Sequence, residues 1–204
     1  MELARLYAGF LLSSSDIGSA FVAATRAPLT SACSPSHELA REGAVVKLQD
    51  RWGAFSQDLV LLSAVGSVRT TSGVLIARRY AAPRVALDRL RATFAGRARK
   101  PGYWQPKWFD PTEAIDAANR LGIPNFAAVS AALGATPAPL EELRAVRNFF
   151  AHRGALAGRT ARSVIGVATT PEVHNYLTET LTGGALRFEV WISTLQGMAR
   201  ASIS

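Results

Sequence analysis

The chain has 204 residues, of which 49% are hydrophobic and 19% charged, so it is long and apolar enough to fold around a core. Its single cysteine excludes a disulfide framework or a cysteine metal site within one chain. Its longest apolar runs fall short of the ~20 residues of a membrane-spanning helix, and a brief apolar start with Glu2 argues against a secretory signal, so we expect a cytoplasmic protein without membrane contact.

The first third of the sequence shows helical periodicity. Residues 2–12 and 16–27 predict two short helices. A much longer helix is predicted over residues 36–66, where apolar side chains including Trp52 recur at intervals of three and four. Because Trp52 occupies one of these apolar positions, we expect it in the core.

The next stretch, residues 69–107, concentrates the positive charge of the protein. It has ten basic residues against the single acid Asp88, a net charge of +9, while the rest of the chain sums to −1. The basic residues are Arg69, Arg78, Arg79, Arg84, Arg89, Arg91, Arg97, Arg99, Lys100 and Lys107. Such clustering is typical of a surface that binds a polyanion such as RNA, and a solvated face of an arginine-rich protein is the alternative.

Within this stretch the sequence predicts less regular structure. The β-branched residues around Ser72 and Gly73 indicate a short strand or an ordered loop, and Pro83 begins another helix. Residues 97–111 are rich in proline and glycine and are expected to form a long loop. Two of its aromatic residues, Trp104 and Trp108, would either stack on unpaired bases or pin the loop to the helices.

The remainder of the chain again predicts helices. They begin at Asp110–Pro111, after Pro124 and at Thr136–Pro137, and the last two cover residues 171–182 and 185–200 with Trp191 in the core. We therefore predict an all-α helical bundle forming one domain over residues 1–204. Residues 1–30 would supply N-terminal helices and residues 68–110 a basic, partly irregular insertion.

The helix that follows Thr136 has an unusual polar edge in the stretch "LRAVRNFFAHRG". Thr136 is expected to cap its start and Gly154 to follow its end as the C′ residue. Its apolar face is formed by Leu140, Leu143, Val146, Phe149 and Phe150. Arg144, Asn148 and His152 follow one another at intervals of four and line one edge, with Arg147 beside them on the other side. We expect Phe150 to be buried and His152 to be accessible.

These residue types suit chemistry on a phosphodiester. A histidine can give or take a proton near neutral pH, and a guanidinium can hold a phosphate and stabilise the charge of its transition state. An ordinary solvent-facing edge, with His152 favourably placed near the negative end of the helix dipole, is the alternative. The histidines at positions 37, 152 and 174 lack metal-ligand spacing, so neither a metal nor a cofactor is expected.

The segment "RNFFAH", Arg147 to His152, resembles the Arg-polar-x-x-x-His motif of the HEPN superfamily in the form "RN…AH" of its bacterial members. It lies on a late helix of an all-α chain, after a long helix of the kind that packs against it. The resemblance covers roughly residues 36–66 and 110–200, and it explains neither the basic insertion nor the first thirty residues.

The resemblance implies a metal-independent endoribonuclease that works as a homodimer with a composite site. Arg147 would contact the scissile phosphate, Asn148 would position it, and His152 would act as acid or base while the RNA 2′-hydroxyl attacks. The products would be a 2′,3′-cyclic phosphate and a 5′-hydroxyl. RNA would also be bound by Arg144, Arg153, Arg78, Arg79, Arg97, Arg99, Lys100 and Trp104.

The biological role implied by the resemblance is that of a toxin or an anti-phage defence effector, with an antitoxin, a sensor or another defence protein as partner. Some toxin members carry a tyrosine two residues after the histidine, where a partner nucleotidyltransferase modifies them. This chain has Gly154 at that position, so that antitoxin arrangement is not supported. A non-catalytic RNA-binding module and a structural bundle that docks on a larger assembly remain the alternatives.

Overall fold

The computed structural model describes residues 3–26, 35–66, 68–70, 72–93 and 105–204, and this part of the chain is all-α with one small hairpin. The helices are α1 Leu3–Arg26, α2 Pro35–Val65, α3 Pro83–Thr93, α4 Pro111–Leu121, α5 Phe126–Gly134, α6 Ala138–His152, α7 Ala155–Ile165, α8 Thr170–Thr178 and α9 Arg187–Ser202. The strands are β1 Val68–Arg69 and β2 Leu75–Ile76. The predicted fold class is thus confirmed.

The N-terminal residues form one helix, α1, so the prediction of two short helices was wrong. The predicted break lay at a run of serines, which favour turns when their hydroxyls compete for backbone groups. The structure satisfies this run differently, because Gln196 Nε2 donates to the hydroxyl of buried Ser14 at 2.9 Å. As one helix, α1 becomes long and apolar enough to meet the length and composition criterion of a membrane span, and 28% of its apolar window is buried. This is weak evidence, because a core helix, which is mostly buried, and a signal sequence near an N-terminus meet the same criterion.

The long helix α2 runs to Val65, where Gly66 ends it with a φ of +70°, close to the predicted end. Most of its apolar positions are buried as the periodicity indicated, Trp52 completely so. Leu39 is 66% exposed, and Val46, Leu62 and Val65 are half-buried. Pro83 begins α3, and the side chain of Asp110 caps α4 by accepting from the Thr112 N–H at 3.0 Å.

The stretch that predicted a strand or an ordered loop is a small antiparallel hairpin, in which Val68 pairs with Ile76 and Arg69 with Leu75. A few residues before α4, Trp108 is 7% exposed. This burial agrees with the pinning role for Trp108, because a ring that stacks on RNA bases needs an open face. Arg97, Arg99, Lys100 and Trp104 lie outside the described residues, as does Cys33.

The chain divides into two compact units, each with its own aromatic cluster. The first unit comprises Met1–Leu11, Trp52–Ala135 and Gly197–Ser204, and Phe10 and Phe55 pack around Trp52 there. The second comprises Leu12–Arg51 and Thr136–Gln196, with Phe21 stacked on Phe188 at 4.1 Å between ring centroids. The basic hairpin belongs to the first unit and α6 to the second. The organisation as one domain over residues 1–204 stays a prediction.

Candidate functional site

The site begins with α6, whose apolar face is buried as predicted. Leu140, Leu143, Val146, Phe149 and Phe150 are each at most 7% exposed. The N-cap is Pro137 rather than Thr136, so the predicted cap was wrong by one residue. Pro137 has the extended backbone of an N-cap, whereas Thr136 has a φ of +28° and cannot take that role.

The polar edge of α6 reaches solvent in part. Asn148 and His152 are exposed, while Arg144 and Arg147 are half-buried. The expectation that Phe150 is buried and His152 accessible is therefore confirmed. Within the second unit, this edge offers a proton-transfer group, an amide and two guanidinium groups on consecutive turns of one helix.

Arg147 contacts a carboxylate that the sequence motif did not indicate. Its Nη2 lies 3.5 Å from Oδ1 of Asp50 on α2, and the Asp50 side chain is 61% exposed while that of Arg147 is 22% exposed. The Nε of Arg147 is buried and has no hydrogen-bond partner among the described residues. A long, solvated pair of this kind contributes only ~0–1 kcal/mol, so an oxyanion can compete with Asp50 for the guanidinium.

A tighter cluster surrounds Glu42, also on α2. Arg153 at the end of α6 donates to Oε2 of Glu42, whose side chain is 8% exposed, while the side chain of Arg153 is 61% exposed. His174 of α8 brings its Nδ1 to 3.8 Å from the other carboxylate oxygen. The His174 ring packs beside Phe150, with 5.1 Å between ring centroids. One buried carboxylate thus joins α2, the end of α6 and α8.

The turn that follows His152 differs from the predicted one. Arg153, with φ +47° and ψ +17°, is the left-handed residue that ends α6, and its N–H donates to the carbonyl of Phe149. Gly154 has an extended backbone and is the N-cap of α7, so the prediction that it is the C′ residue was wrong. The left-handed conformation costs a residue with a side chain roughly 1–2 kcal/mol, which the glycine one position later would have avoided.

Helix α7 was not predicted from the sequence. Its buried positions are Gly158, Ala161 and Ile165, so only one of the three carries a large apolar side chain. Gly158 faces the ring of Phe149, from which an added Cβ would lie at an ordinary contact distance of 3.6 Å. The recurrence of small and apolar residues at intervals of three and four was the available signal, and it was missed.

A second polar cluster ties α6 to α8 and α9. The indole N–H of Trp191, predicted and found in the core, donates to Oε2 of Glu142 at 2.8 Å. Burial, and then the negative charge of Glu142, raise the pKa of Tyr176 well above its usual range. Arg187 lies over the Tyr176 ring and pairs with Glu179. These contacts hold α6 at Glu142 through residues of α8 and α9 that the sequence motif does not include.

In the first unit, three arginines at the hairpin and just after it, Arg69, Arg78 and Arg79, donate to backbone carbonyls, whereas Arg91, Lys107 and Arg120 pair with carboxylates. Arg78 donates to the carbonyls of Tyr80 and Ala81, and Arg79 donates to that of Gly122 at 3.0 Å. A carbonyl acceptor leaves the positive charge of the arginine uncompensated. Arg78 and Arg79 therefore remain sources of positive potential while their side chains hold the loop after the hairpin in place.

Metal-binding groups and similar proteins both bear on what this site does. Among the described residues there is no group of three or more His, Cys, Asp or Glu side chains able to hold a metal ion. Comparisons of the chain with protein-family models, curated proteins and solved structures give no match. The resemblance to the HEPN superfamily accordingly rests on the motif and its position in an all-α chain.

Proposed function

We propose that this protein is a metal-independent endoribonuclease of HEPN type, a toxin or anti-phage effector that cuts RNA by attack of its 2′-hydroxyl. The observation that carries the proposal is the polar edge of α6. It combines the exposed imidazole of His152 with the exposed amide of Asn148 and the weakly paired guanidinium of Arg147. The basic residues at the hairpin and just after it, Arg69, Arg78 and Arg79, would add attraction for the phosphate backbone.

In this mechanism Arg147 exchanges Asp50 for a phosphate oxygen of the scissile linkage. The exchange is favourable because a phosphodiester accepts from the guanidinium in bidentate geometry, whereas Asp50 makes one long contact. Asn148 positions the phosphate, and Arg144 adds positive charge along the same edge, whereas Glu42 neutralises the charge of Arg153.

His152 transfers the proton. Removal of the 2′-hydroxyl proton lets that oxygen attack phosphorus, and the bond to the 5′-oxygen breaks with protonation of the leaving group. The products are a 2′,3′-cyclic phosphate and a 5′-hydroxyl. The reaction uses both a base and an acid, and one copy of the chain supplies a single His152. In a two-fold dimer, His152 of the second copy supplies the other group and completes the site.

The test is cleavage of a labelled single-stranded RNA by wild-type protein and by the His152→Ala and Arg147→Ala variants, each with and without EDTA. Loss of an acid–base group costs ~10²–10⁴-fold in rate and loss of a charge-stabilising donor on the order of 10²–10³-fold. Both variants should keep most of the RNA affinity, because binding draws on many basic residues, and EDTA should change nothing.

Three outcomes would contradict the proposal. Wild-type protein that binds RNA but does not cut it, with its activating partner present, favours a non-catalytic RNA-binding or scaffold module. Cleavage that stops in EDTA means that a metal does the chemistry. Light scattering that finds a monomer at all workable concentrations, without a partner chain, contradicts the composite site.

A further inference from the structure

The turn after His152 places backbone strain on Arg153 although a glycine follows directly. Arg153 adopts the left-handed conformation at φ +47°, while Gly154 has an ordinary φ of −80°. A glycine at position 153 would accept this backbone without cost. What Arg153 adds is its side chain, so the reason for the strain should be found in what that side chain holds.

The side chain holds Glu42, a carboxylate that is 8% exposed. A carboxylate this deeply buried requires a charged or strongly hydrogen-bonding partner, and Arg153 supplies one from the residue next to His152. His174 stands at 3.8 Å from the second oxygen and packs against Phe150, one helical turn from Arg153 on α6. The end of α6 is thus fixed to α2 and α8 through one carboxylate.

We infer that Glu42, acting through Arg153, is a positioning residue for His152. The inference rests on the proposed function, since a fixed imidazole matters when it must meet a 2′-hydroxyl or a leaving oxygen at hydrogen-bond distance. The ion pair sets the direction in which the chain leaves His152, and the left-handed backbone of Arg153 is retained for that purpose. A misplacement of about 1 Å at a reacting group can lower a rate by ~10²-fold.

The decisive variant changes both partners, as Glu42→Gln with Arg153→Gly. It removes the two charges together, so no carboxylate is left buried without its cation, and glycine fits the left-handed turn. We expect a melting temperature close to that of wild type. We also expect kcat for RNA cleavage to fall by about 10–10²-fold, with KM changing by less than about threefold.

Two single variants and one control complete the set. Arg153→Lys keeps the charge beside Glu42 and should retain more of kcat than the double variant does. Glu42→Gln alone keeps an oxygen acceptor of similar shape for Arg153 but removes the charge. It is measured in place of the double variant if the double variant does not fold, and the same fall in kcat is then expected. Arg200→Ala removes an exposed arginine of the first unit and should leave kcat unchanged. A double variant that melts and cleaves like wild type would overturn the inference, because the pair would then be a stabilising contact alone.

A second measurement separates this inference from the proposed function. The ring signals of His152 in the NMR spectrum should broaden or split in the double variant, because the turn then samples several backbone conformations, and should remain single in Arg200→Ala. If wild type cuts no RNA, the proposed function fails and this spectrum still decides the positioning. A single, unshifted set of His152 signals in the double variant would overturn it whatever the RNA result.

Discussion

Two groups of arginines, one in each unit, differ in the acceptors that their guanidinium groups contact. Arg69, Arg78 and Arg79, here called the hairpin arginines, donate to backbone carbonyls. Arg147 and Arg153, here called the motif arginines, pair with carboxylates of α2. A carbonyl satisfies an N–H donor and leaves the charge intact, whereas a carboxylate cancels the charge.

The difference predicts different roles for the two groups in RNA binding. The hairpin arginines keep a positive field that attracts a polyanion over a distance of about a Debye length, ~8 Å at physiological salt. The motif arginines contribute little field until a phosphate displaces their acid, as the solvated Asp50 allows and the buried Glu42 does not. A count of basic residues, which the sequence provides, therefore does not tell which of them meet the ligand.

The largest effect is expected at Gly66, because its backbone lies against that of Arg78, one of the hairpin arginines. Gly66 has a φ of +70°, and a Cβ there would lie 2.0 Å from the Cα of Arg78. We expect Gly66→Ala to lower the free energy of unfolding by roughly 2–4 kcal/mol, since it adds a backbone overlap to the left-handed penalty. Urea denaturation of the purified protein measures this.

Gly73 provides the matched control for that substitution. It too has a positive φ, +84°, but nothing lies within 4 Å of where its Cβ would be. Gly73→Ala should cost only the conformational penalty, about 1–2 kcal/mol. Equal losses at the two positions would show that the chain around Arg78 yields, and that its backbone contact with Gly66 is not rigid.

Much of the fold could be predicted because it depends on strong local signals. Pro83, Asp110 and the long apolar pattern that ends at Gly66 each mark a helix boundary by a local mechanism, and the structure has those boundaries. The wrong predictions fall where a contact between residues distant in the sequence acts against the local conformational preference. The run of serines in α1 continues as helix, and Gln196 donates to the hydroxyl of Ser14 there, a contact between residues far apart in the sequence.

The candidate site divides in the same way. Exposure of His152 and burial of Phe150 follow from helix periodicity alone, and both were predicted. The contacts of Asp50 and Glu42 with this site were not predicted, since the resemblance implies that a long helix packs on α6 but not which of its acids reach it. The left-handed residue at the end of α6 was also wrongly predicted. Local preference favours glycine, and therefore Gly154, but the left-handed residue is Arg153, whose side chain pairs with the buried Glu42.

A smaller effect is expected where the hairpin arginines lose their charge. Replacing both Arg78 and Arg79 by glutamine should weaken binding of single-stranded RNA by about tenfold. It should also reduce the slope of log affinity against log salt by about 1.4, since two fewer phosphates are neutralised. Titration of labelled RNA at several salt concentrations gives both numbers.

The matched control replaces the same two arginines by lysine. Lysine keeps the charge but lacks the planar fork that reaches the carbonyls of Ala81 and Gly122. If charge is what matters, the lysine variant keeps the wild-type salt slope even where it lowers the melting temperature. A glutamine variant with unchanged affinity and slope would assign the hairpin arginines to another partner, most simply a protein.

The smallest effect concerns Asp50, whose carboxylate neutralises Arg147 in the free protein. Asp50→Asn should tighten RNA binding by about two- to fivefold, because the guanidinium no longer has to leave an acid and one negative charge is removed beside the phosphate. The free energy of unfolding should change by less than about 1 kcal/mol, since the pair is long and solvated. Asp116→Asn is the control, because Asp116 makes a partly exposed pair with Arg120 within α4 of the first unit, at 3.0 Å, and its replacement removes the same single charge. Fluorescence anisotropy with one RNA compares the two variants. Equal gains in affinity for the two variants would mean that only the change in net charge matters. Weaker binding or lost cleavage in Asp50→Asn alone would show that Asp50 orients Arg147 for the phosphate.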